Sequence, residues 1–548
     1  MSSVVTAIIL SNNSKMNPEY NIMSIDIIKE VNKIPTAQII LLDGDSPREE
    51  FAISNTDFFK PGNNIEIKLR YEGETQAEAT VFQGIVVRHS VQADQYSSLL
   101  RIDLKDEAIK LTTQRKSAVF RDKTDKEIIE AIINPPGKTI DETQPKHKEM
   151  VQFYCTDWDF IVSRADASGH WVLAENGKIS VEKPNLNGTP KHVFEYCISE
   201  IYQFEMAVDI LDQYGAVNSV AWDVNEKQLS QPKTAEELSL TQGNLEAAEL
   251  AKAIGSDKYQ LVNSGQLDAA EIKAWADAKM LKSRMSMLRG HLTVAGLANI
   301  NLGDIINISG ISNRFNGKTL VTGIRHQVNE NNWQTDIQFG LSANWFSQEN
   351  NDVIDTPAAG LLPAINGLQI GIVDEYQDDP DNQFRVKVKI PSIEKDGIVW
   401  ARLASIDAGG GRGIFFRPEK GDEVVLGFLN DDPRQAIILG AMHSPKNPLP
   451  KALNLSSENY KKGIVTKELL QIIFDDENKL IELRTPNGNI LNISDKQIYL
   501  KYKDENDENG NSMIINNDGL HIKSKNNIVI EGGNITIKGS KVDVVDVK

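Results

Sequence analysis

Residues 383–442 read QFRVKVKIPSIEKDGIVWARLASIDAGGGRGIFFRPEKGDEVVLGFLNDDPRQAIILGAM and decide how the rest of the chain is interpreted. Phe384, Val386 and Val388 alternate with basic residues, which is the period-two pattern of a strand with one buried face. Four more strand-length segments follow, at 399–403, 414–416, 424–428 and 436–439. The turns between them are rich in glycine, aspartate and proline. Five short strands in this span predict a compact antiparallel β-barrel.

The order of these segments is typical of an OB-fold barrel. Three strings also match a known pattern in order and spacing: RVKVKIP (385–391), VWARLAS (399–405) and GRGIFFRPEKGDEVVLGFLNDDPRQAIILGAM (411–442). They resemble the central barrel of VgrG-type spike proteins, which are relatives of the bacteriophage T4 hub and spike. The resemblance extends along nearly the whole chain.

Bulk composition limits the class of protein. A chain of 548 residues is too long for one core, so we expect roughly three to five domains. The formal net charge of −18 argues against a nucleic-acid binder, which needs basic side chains to neutralise phosphates. The opening MSSVVTAIILSNNSKMNPEY has no basic segment before its short apolar run, so we expect no signal peptide. Cys155 and Cys197 are expected to be buried free thiols.

The region 20–105 reads as β-rich. The strings NKIPTAQIILLDGD (32–45), FFKPGNNIEIKLRYEG (58–73) and VFQGIVVRHSV (81–91) resemble the opening barrel of the same family. A weak internal repeat links this region to a later one, because Gly62 and Gly84 are echoed by Gly303 and Gly323. We interpret the repeat as two related barrels, with chance similarity between two hairpins as the alternative. Three copies of a two-barrel chain would form a ring of six similar units, as the resemblance implies.

Helices are predicted between the barrels. Thr124 and Glu127 form a capping box before an isoleucine-rich face, and Thr156 caps a second helix. The string VQFYCTDWDFIVSRADASGHWV (151–172) resembles a family segment in which an acidic residue usually stands where this chain has Cys155. Residues 234–287 have helical spacing, and Met280–Met287 is expected to be core.

The sequence pattern of the tail differs from that of the preceding regions. Strand-length alternations recur at 470–474, 480–484, 490–493, 520–522, 528–530, 535–537 and 542–544. Strands this short cannot bury their apolar faces in one chain, and no helix is available to cover them. Three copies around a shared axis would bury those faces, so we predict an obligate homotrimer. KGIVTKELLQIIFDDENKLIELRTPNGNILNISD (462–495) resembles the start of the family's trimeric β-prism.

The predicted fold class is mainly β with an α+β hub: two related β-barrels with helical inserts, a central OB-fold barrel and a C-terminal trimeric, intertwined β-prism or β-helix needle. The predicted domains are 1–115 (first hub barrel), 116–235 (helical and β insert), 236–350 (helical segment and second hub barrel), 351–365 (linker), 366–445 (OB-fold barrel), 446–460 (connector) and 461–548 (trimeric spike).

No catalytic chemistry is predicted. Some relatives of the phage spike carry a lysozyme between barrel and needle, but only about twenty residues separate the two modules here. The zinc-protease and serine-hydrolase motifs are absent, and the eight histidines are scattered. Two acidic turns, Asp378–Asp381 and Asp504–Gly510, invite a calcium interpretation, but we favour solvated loops. We therefore expect no enzyme, no cofactor and no metal site.

The resemblance implies a structural spike at the tip of the inner tube of a contractile injection machine, made without a signal peptide in the cytoplasm and delivered outward. Its implied partners are the hexameric tube protein, baseplate proteins, a conical tip cap of the PAAR type on Val542, Val544 and Val547, secreted effectors and, transiently, a target membrane. One alternative is a glycan-binding or glycan-active β-helical tail protein. Another is an OB-fold nucleic-acid module that stacks bases on Phe415, Phe416 and Phe428, for which we instead expect core packing.

Overall fold

A computed structural model describes residues 5–44, 50–72, 78–94, 97–133, 139–240, 242–329, 332–394, 397–453, 455–502 and 510–545. The chain divides into two compact units, Met1–Thr356 and Pro357–Lys548. Among the described residues, no helix combines the length and the apolar character needed to cross a membrane.

The described part of the first unit contains twenty-two strands and five α-helices, which we number along the chain. The strands up to the first helix are β1 (Val5–Ser11), β2 (Ser14–Lys15), β3 (Ile22–Glu30), β4 (Thr36–Leu42), β5 (Asn64–Tyr71), β6 (Ala79–Ala93), β7 (Ser98–Lys105) and β8 (Arg115–Thr124). A middle group comprises α1 (Asp125–Ile132), β9 (Thr139–Ile140), β10 (Lys146–Thr156), α2 (Asp157–Ala167), β11 (Trp171–Glu175), β12 (Lys178–Glu182), β13 (His192–Glu195), β14 (Ile201–Val208), β15 (Ala216–Asp223), β16 (Gln228–Leu229) and β17 (Lys233–Thr234). The last group comprises α3 (Ala247–Ala253), β18 (Lys258–Asn263), α4 (Ala269–Met287), β19 (Leu288–Ala295), β20 (Ile305–Ser309), β21 (Gly317–Asn329), β22 (Asn332–Phe339) and α5 (Phe346–Glu349).

One continuous sheet of thirteen strands joins the two regions that the sequence separates into barrels. Its main path runs β14-β19-β22-β21-β3-β4-β7-β6-β5-β1-β2, and β13 and β20 extend it beside β21. The junction is the antiparallel pair β3–β21, in which Asp26 lies opposite Gln327. A bidentate ion pair between Arg325 and Asp26 reinforces it, with N–O distances of 2.8 and 2.7 Å. The early and late halves each bury their own apolar cluster.

The internal repeat has matching local geometry in both halves. Gly62 and Gly303 have positive φ values of 99° and 81°, a conformation that glycine adopts without steric cost. The N–H of Gly62 donates to the Val86 carbonyl at 2.9 Å, and that of Gly303 donates to Val321 at 2.8 Å. In each half the glycine precedes a strand that pairs with the long strand that follows; β5 buries two isoleucines and β20 buries three.

The predicted helix signals are confirmed. The Thr124–Glu127 capping box starts α1, and the Thr156 hydroxyl accepts the N–H of Asp159 at the start of α2. In α4, Met280, Met285 and Met287 are buried, whereas the region before it is interrupted by β18, which pairs in parallel with β15. The expectation of two buried thiols holds for Cys155 and is wrong for Cys197. Cys197 lies in a turn with a φ of 67°, which holds the thiol at the surface.

The second unit begins with the predicted five-strand closed barrel, β23-β24-β25-β29-β28. Its strands are β23 (Gln369–Val373), β24 (Val386–Lys389), β25 (Ile398–Leu403), β28 (Glu423–Phe428) and β29 (Ala436–Ala441), and the small hairpin β26 (Ala408–Gly409) and β27 (Arg412–Gly413) lies outside it. Val386, Val388, Ala401, Val424, Leu426 and Ile438 are among the side chains that fill its core.

Several details of the predicted barrel are wrong. The pairing is not antiparallel throughout, because β25 and β29 are parallel, and the strand β23 precedes the span 383–442. Phe384 does not continue the alternation of β24, because a φ of 58° ends the extended backbone and leaves its ring 87% exposed. Residues 414–416 form no strand, because the glycine-rich hairpin β26–β27 takes the pairing and carries them outside the barrel.

The tail folds as a seven-strand antiparallel meander, which we call the tail sheet. Its strands are β30 (Lys461–Val465), β31 (Gln471–Asp475), β32 (Leu480–Arg484), β33 (Ile490–Ser494), β34 (Ile498–Tyr502), β35 (Asn511–Asn516) and β36 (Gly519–Lys523). The predicted strands at 528–530, 535–537 and 542–544 are wrong for the single chain, since 524–545 is described without any strand. No neighbouring segment is available to pair with them there. The mostly-β fold class with a closed five-strand barrel is confirmed.

The repeat glycines predict unequal costs of substitution. A Cβ atom at Gly84 would lie 2.3 Å from the backbone oxygen of Lys105, whereas at Gly323 it would meet the flexible side chain of Gln338 at 2.7 Å. We expect Gly84→Ala to destabilise the first unit by about 2 kcal/mol and Gly323→Ala by clearly less. Thermal unfolding followed by circular dichroism measures both. Gly440→Ala, which meets nothing within 4 Å, is the control. Equal shifts for Gly84 and Gly323 would contradict the packing argument.

Candidate functional site

The tail sheet carries an apolar face that runs across all seven strands. The pairing register places two columns of apolar side chains side by side on this face. One column is Ile464, Ile472, Leu483, Leu491, Leu500, Met513 and Ile522, and the other is Phe474, Ile481, Ile493, Ile498, Ile515 and Leu520. We call these thirteen side chains the apolar face.

The apolar face is the more exposed side of the sheet. In β32 the outward Ile481 and Leu483 are exposed, whereas Glu482 and Arg484, which point to the other side, are half-buried. Glu482 and Arg484 pair with each other at 3.0 Å. A soluble monomer normally places its apolar side chains inward, and contiguous apolar surface of this extent marks an interaction site. Among the described residues, the apolar face of the tail sheet is therefore left largely exposed.

The opposite face of the tail sheet is mixed and largely polar. Asp475 is buried there and binds Asn478 through its backbone N–H and its side chain, at 3.1 and 3.0 Å. These hydrogen bonds lower the pKa of the Asp475 carboxyl. His521 lies on this face and is exposed. Asp475 is thus hydrogen-bonded within its own chain.

The proposed tip residues lie beyond the last strand of the tail sheet. Val544 is 96% exposed and Val542 is also exposed, whereas Val547 lies outside the described residues. Nothing in the described part of the chain packs these two valines together with the apolar face. Their part in binding a cap stays a prediction.

The rim of the barrel exposes aromatic side chains. Phe415 and Phe416, for which we expected core packing, are 72% and 59% exposed, so that expectation is wrong. They follow the hairpin β26–β27, outside the closed barrel, and this position keeps them out of its core. Phe428 does pack against the barrel core, as expected.

The acidic turn before β24 is an internal structural element. Asp379 accepts hydrogen bonds from the N–H groups of Asp381, Gln383 and Arg385, and its carboxylate pairs with the Arg385 guanidinium. The guanidinium lowers the pKa of Asp379. The expected solvated loop is therefore wrong for Asp379, whose side chain is nearly buried. Most of the second acidic turn, 503–509, lies outside the described residues.

The most enclosed group of charged side chains lies between the helices of the first unit. Arg164 of α2 pairs with Asp125 of α1 at 2.9 Å and with Glu271 of α4 at 3.0 Å. His147 of β10 lies 3.2 Å from Asp125. Burial raises the pKa of Asp125, but hydrogen bonds from His147 and Arg164 outweigh it and lower the value to about 2. Sequence reasoning missed this cluster because its members are far apart in the chain.

The described residues offer little for catalysis or ion binding. No group of three or more His, Cys, Asp or Glu side chains among them is arranged to hold a metal ion. A cavity of about 470 Å³ in the first unit is lined by Lys282 and Arg289. Both already pair with carboxylates, Lys282 with Asp166 at 2.6 Å and Arg289 with Asp209 at 3.3 Å. These two cations are therefore paired within the chain.

Comparison with known proteins gives a family match in each unit. Residues 1–330, more than half of the 548, match the family described as the Alg8 N-terminal domain. Residues 369–443, which contain the closed barrel, match the type VI secretion system/phage-baseplate injector OB domain. The chain belongs to the Alg8 N-terminal domain family, and it is similar to VgrG-type spike proteins.

Individual relatives are distant or partial. The type VI secretion system spike protein VgrG3 of Vibrio cholerae is 36% identical over 99 residues, which span 17% of this chain and 10% of the Vibrio protein. This chain therefore matches about a tenth of that relative's length. A 43 kDa prophage MuSo2 tail protein from Shewanella oneidensis aligns with 62% of this chain and 98% of its own at 11% identity and a TM-score of 0.46. A Francisella PdpA–VgrG complex aligns with 95% of this chain and 88% of its own at 9% identity and a TM-score of 0.40.

The charged cluster predicts a pH-dependent stability. Because the pKa of Asp125 is lowered from 3.8 to about 2, its ionised form stabilises the fold above about pH 4, and that contribution is lost as the pH falls towards 2. We expect Asp125→Asn to lower the unfolding midpoint at neutral pH by the equivalent of about 2 kcal/mol. The difference from the parent chain should shrink as the pH falls below 4.

Thermal unfolding of both chains between neutral pH and about pH 3 measures this difference. Glu142→Gln, at an exposed carboxylate that pairs with Lys126, is the control and should differ little from the parent. A gap for Asp125→Asn that stays constant over this range would contradict the assigned ionisation.

Proposed function

We propose that this protein is the homotrimeric spike of a contractile injection machine. In this proposal the first unit forms the ring that docks on the inner tube, and the barrel and tail sheet point forward. Sheath contraction drives the trimer through a target envelope. The family membership supports the spike assignment, and the exposed apolar face of the tail sheet is the observation that carries the assembly.

The apolar face needs a cover rather than hydrogen-bond partners. Strands β30–β36 already pair with one another within one chain, so only β30 and β36 are edges. Each isoleucine or leucine buried from a half-exposed position contributes of the order of 1 kcal/mol. The apolar face has eleven isoleucines and leucines per copy, together with Phe474 and Met513, so burial in a shared core supplies a large driving force. Three sheets around one axis would bring their apolar faces together as a prism.

Stiffness follows from this arrangement. In a prism of three sheets, the antiparallel ladders run within each chain and the apolar core runs along the axis. A penetrating tip needs such a fully paired, closely packed shaft, and it needs no active site. The connector between barrel and tail, from the end of β29 at Ala441 to the start of β30 at Lys461, also lacks the length of an inserted hydrolase domain. We therefore propose a mechanical rather than a catalytic role.

The segment after β36 forms the tip of the proposed spike. Residues 524–545 have no strand partner in their own chain, and their apolar side chains are exposed. We propose that three copies of this segment pair with one another beyond the prism. A conical cap protein then closes the tip at Val542, Val544 and Val547, and an effector travels with it. The spike is made in the cytoplasm and leaves the cell only as part of the injection particle.

Trimer formation is tested by placing a charge within the apolar face. Ile498 lies on β34, in the interior of the meander, so Ile498→Asp would bury an unpaired carboxylate in the proposed core. We expect this variant to lose the three-copy species in sedimentation velocity. His521→Asp introduces the same side chain on the opposite face and should keep it.

Circular dichroism shows whether each variant keeps its β-structure. A folded Ile498→Asp chain with the same mass as the parent would contradict burial of this face between copies. A parent mass of two chains would support a face-to-face sandwich in place of the prism.

A further inference from the structure

A second exposed surface lies on the ribbon formed by β8 and β10 in the first unit. These two strands pair only with each other. One side of the ribbon packs inward, where Phe120 and Met150 contact the Phe160 cluster. On the other side Val119 lies directly opposite Val151, and both are exposed.

A β-bulge near the end of the ribbon turns two aromatic side chains outward. The strand register shifts between Gln152 and Cys155, and Tyr154 has a φ of 39°. Phe153 is 78% exposed and Tyr154 is also exposed. Bulges re-aim side chains, and a strained non-glycine residue persists only where its surroundings hold it. We call Val119, Val151, Phe153 and Tyr154 the ribbon patch.

Hydrogen bonds hold this bulge in place. The Tyr154 N–H donates to the Ser117 hydroxyl at 3.0 Å, and its carbonyl accepts from the Arg115 guanidinium at 3.1 Å. Arg115 is itself paired with Asp352 at 2.7 Å. The Gln152 side-chain amide donates to the Cys155 carbonyl at 3.3 Å. The outward aromatic rings are therefore presented by a rigid backbone, which reduces the entropy cost of binding.

The ribbon is basic in an acidic chain. Strands β8 and β10 contain six Lys and Arg residues and two acidic residues, a net charge of +4, whereas the whole chain has −18. Within the described part of the chain, Lys123, Lys146 and Lys148 make no ion pair. The Arg121–Glu149 contact, at 3.8 Å between exposed side chains, is weak. Most of the positive charge is thus available to a partner.

We infer that the ribbon patch is a docking site for a protein partner that surrounds an apolar recess with acidic side chains. An apolar centre with aromatic residues inside a charged rim is the usual anatomy of a protein interface. Charge complementarity selects an acidic partner. An anionic lipid surface is the competing partner, and the vesicle measurement below distinguishes it from an acidic protein. This site does not depend on the proposed trimeric spike.

A labelled random copolymer of glutamate and tyrosine serves as the probe, and polyglutamate of equal length reports charge alone. Fluorescence anisotropy of both probes is measured with the full-length protein. We expect the copolymer to bind about tenfold more tightly than polyglutamate, because tyrosine rings occupy the ribbon patch. Val119→Thr/Val151→Thr/Phe153→Ser should remove that preference. Lys123→Glu/Lys146→Glu/Lys148→Glu should weaken both probes.

Matched controls are available on other exposed positions. Val193→Thr tests an exposed valine on β13, and Lys233→Glu/Lys252→Glu/Lys258→Glu changes the net charge by the same amount away from the ribbon. Both controls should bind like the parent. Circular dichroism confirms that each variant is folded.

Three results would overturn the inference. The first is equal affinity for the copolymer and polyglutamate, which indicates non-specific charge. The second is binding to phosphatidylglycerol vesicles that the ribbon variants abolish while copolymer binding is unchanged, which indicates a membrane surface. The third is a change in the solution mass of the protein in the ribbon variants, which indicates that a second copy of this chain covers the patch.

Discussion

The exposed apolar face of the tail sheet is the constraint from which the assembly follows. Each strand of the sheet is about five residues long, and side chains of the apolar face such as Ile472, Ile481 and Ile498 stay exposed in the single chain. Strand pairing within the chain satisfies the backbone N–H and C=O groups, and these hydrogen bonds fix the strand register. Packing between chains is needed to bury the apolar side chains, so the tail depends on association with other copies of the chain.

The first unit is built from two similar halves that share one sheet. Two similar halves each have a core, and the β3–β21 pair joins them into one sheet. The Arg325–Asp26 ion pair lies at this junction, and Arg325 has a raised pKa because Asp26 accepts its hydrogen bonds. A chain built from two fused similar halves presents two related surfaces, which suits the proposed ring of six similar units from three chains.

The accuracy of sequence reasoning varied with the range of the interaction that decides each feature. Local signals worked well: the Thr124 capping box and the alternation over 480–494 predicted their elements, because adjacent residues determine both. Alternation failed at Phe384, where a positive φ ends the strand, and at Phe415, which follows a hairpin outside the barrel. The Asp125–Arg164–Glu271 cluster and the ribbon patch were not predicted, since tertiary contacts bring their members together. The alternation of apolar residues in the tail predicted exposed apolar side chains. Which of these side chains lie next to one another on the apolar face is known only from the strand pairing in the structure.

The solution mass of the full-length chain, measured by light scattering beside a truncation that ends at Pro450, tests the central claim most directly. The truncation removes the whole tail sheet and keeps the barrel. Our account predicts a mass near three times 60.9 kDa for the full chain and loss or weakening of that species in the truncation. A stable full-length monomer would contradict it, because the apolar face would then be open to water without a cover.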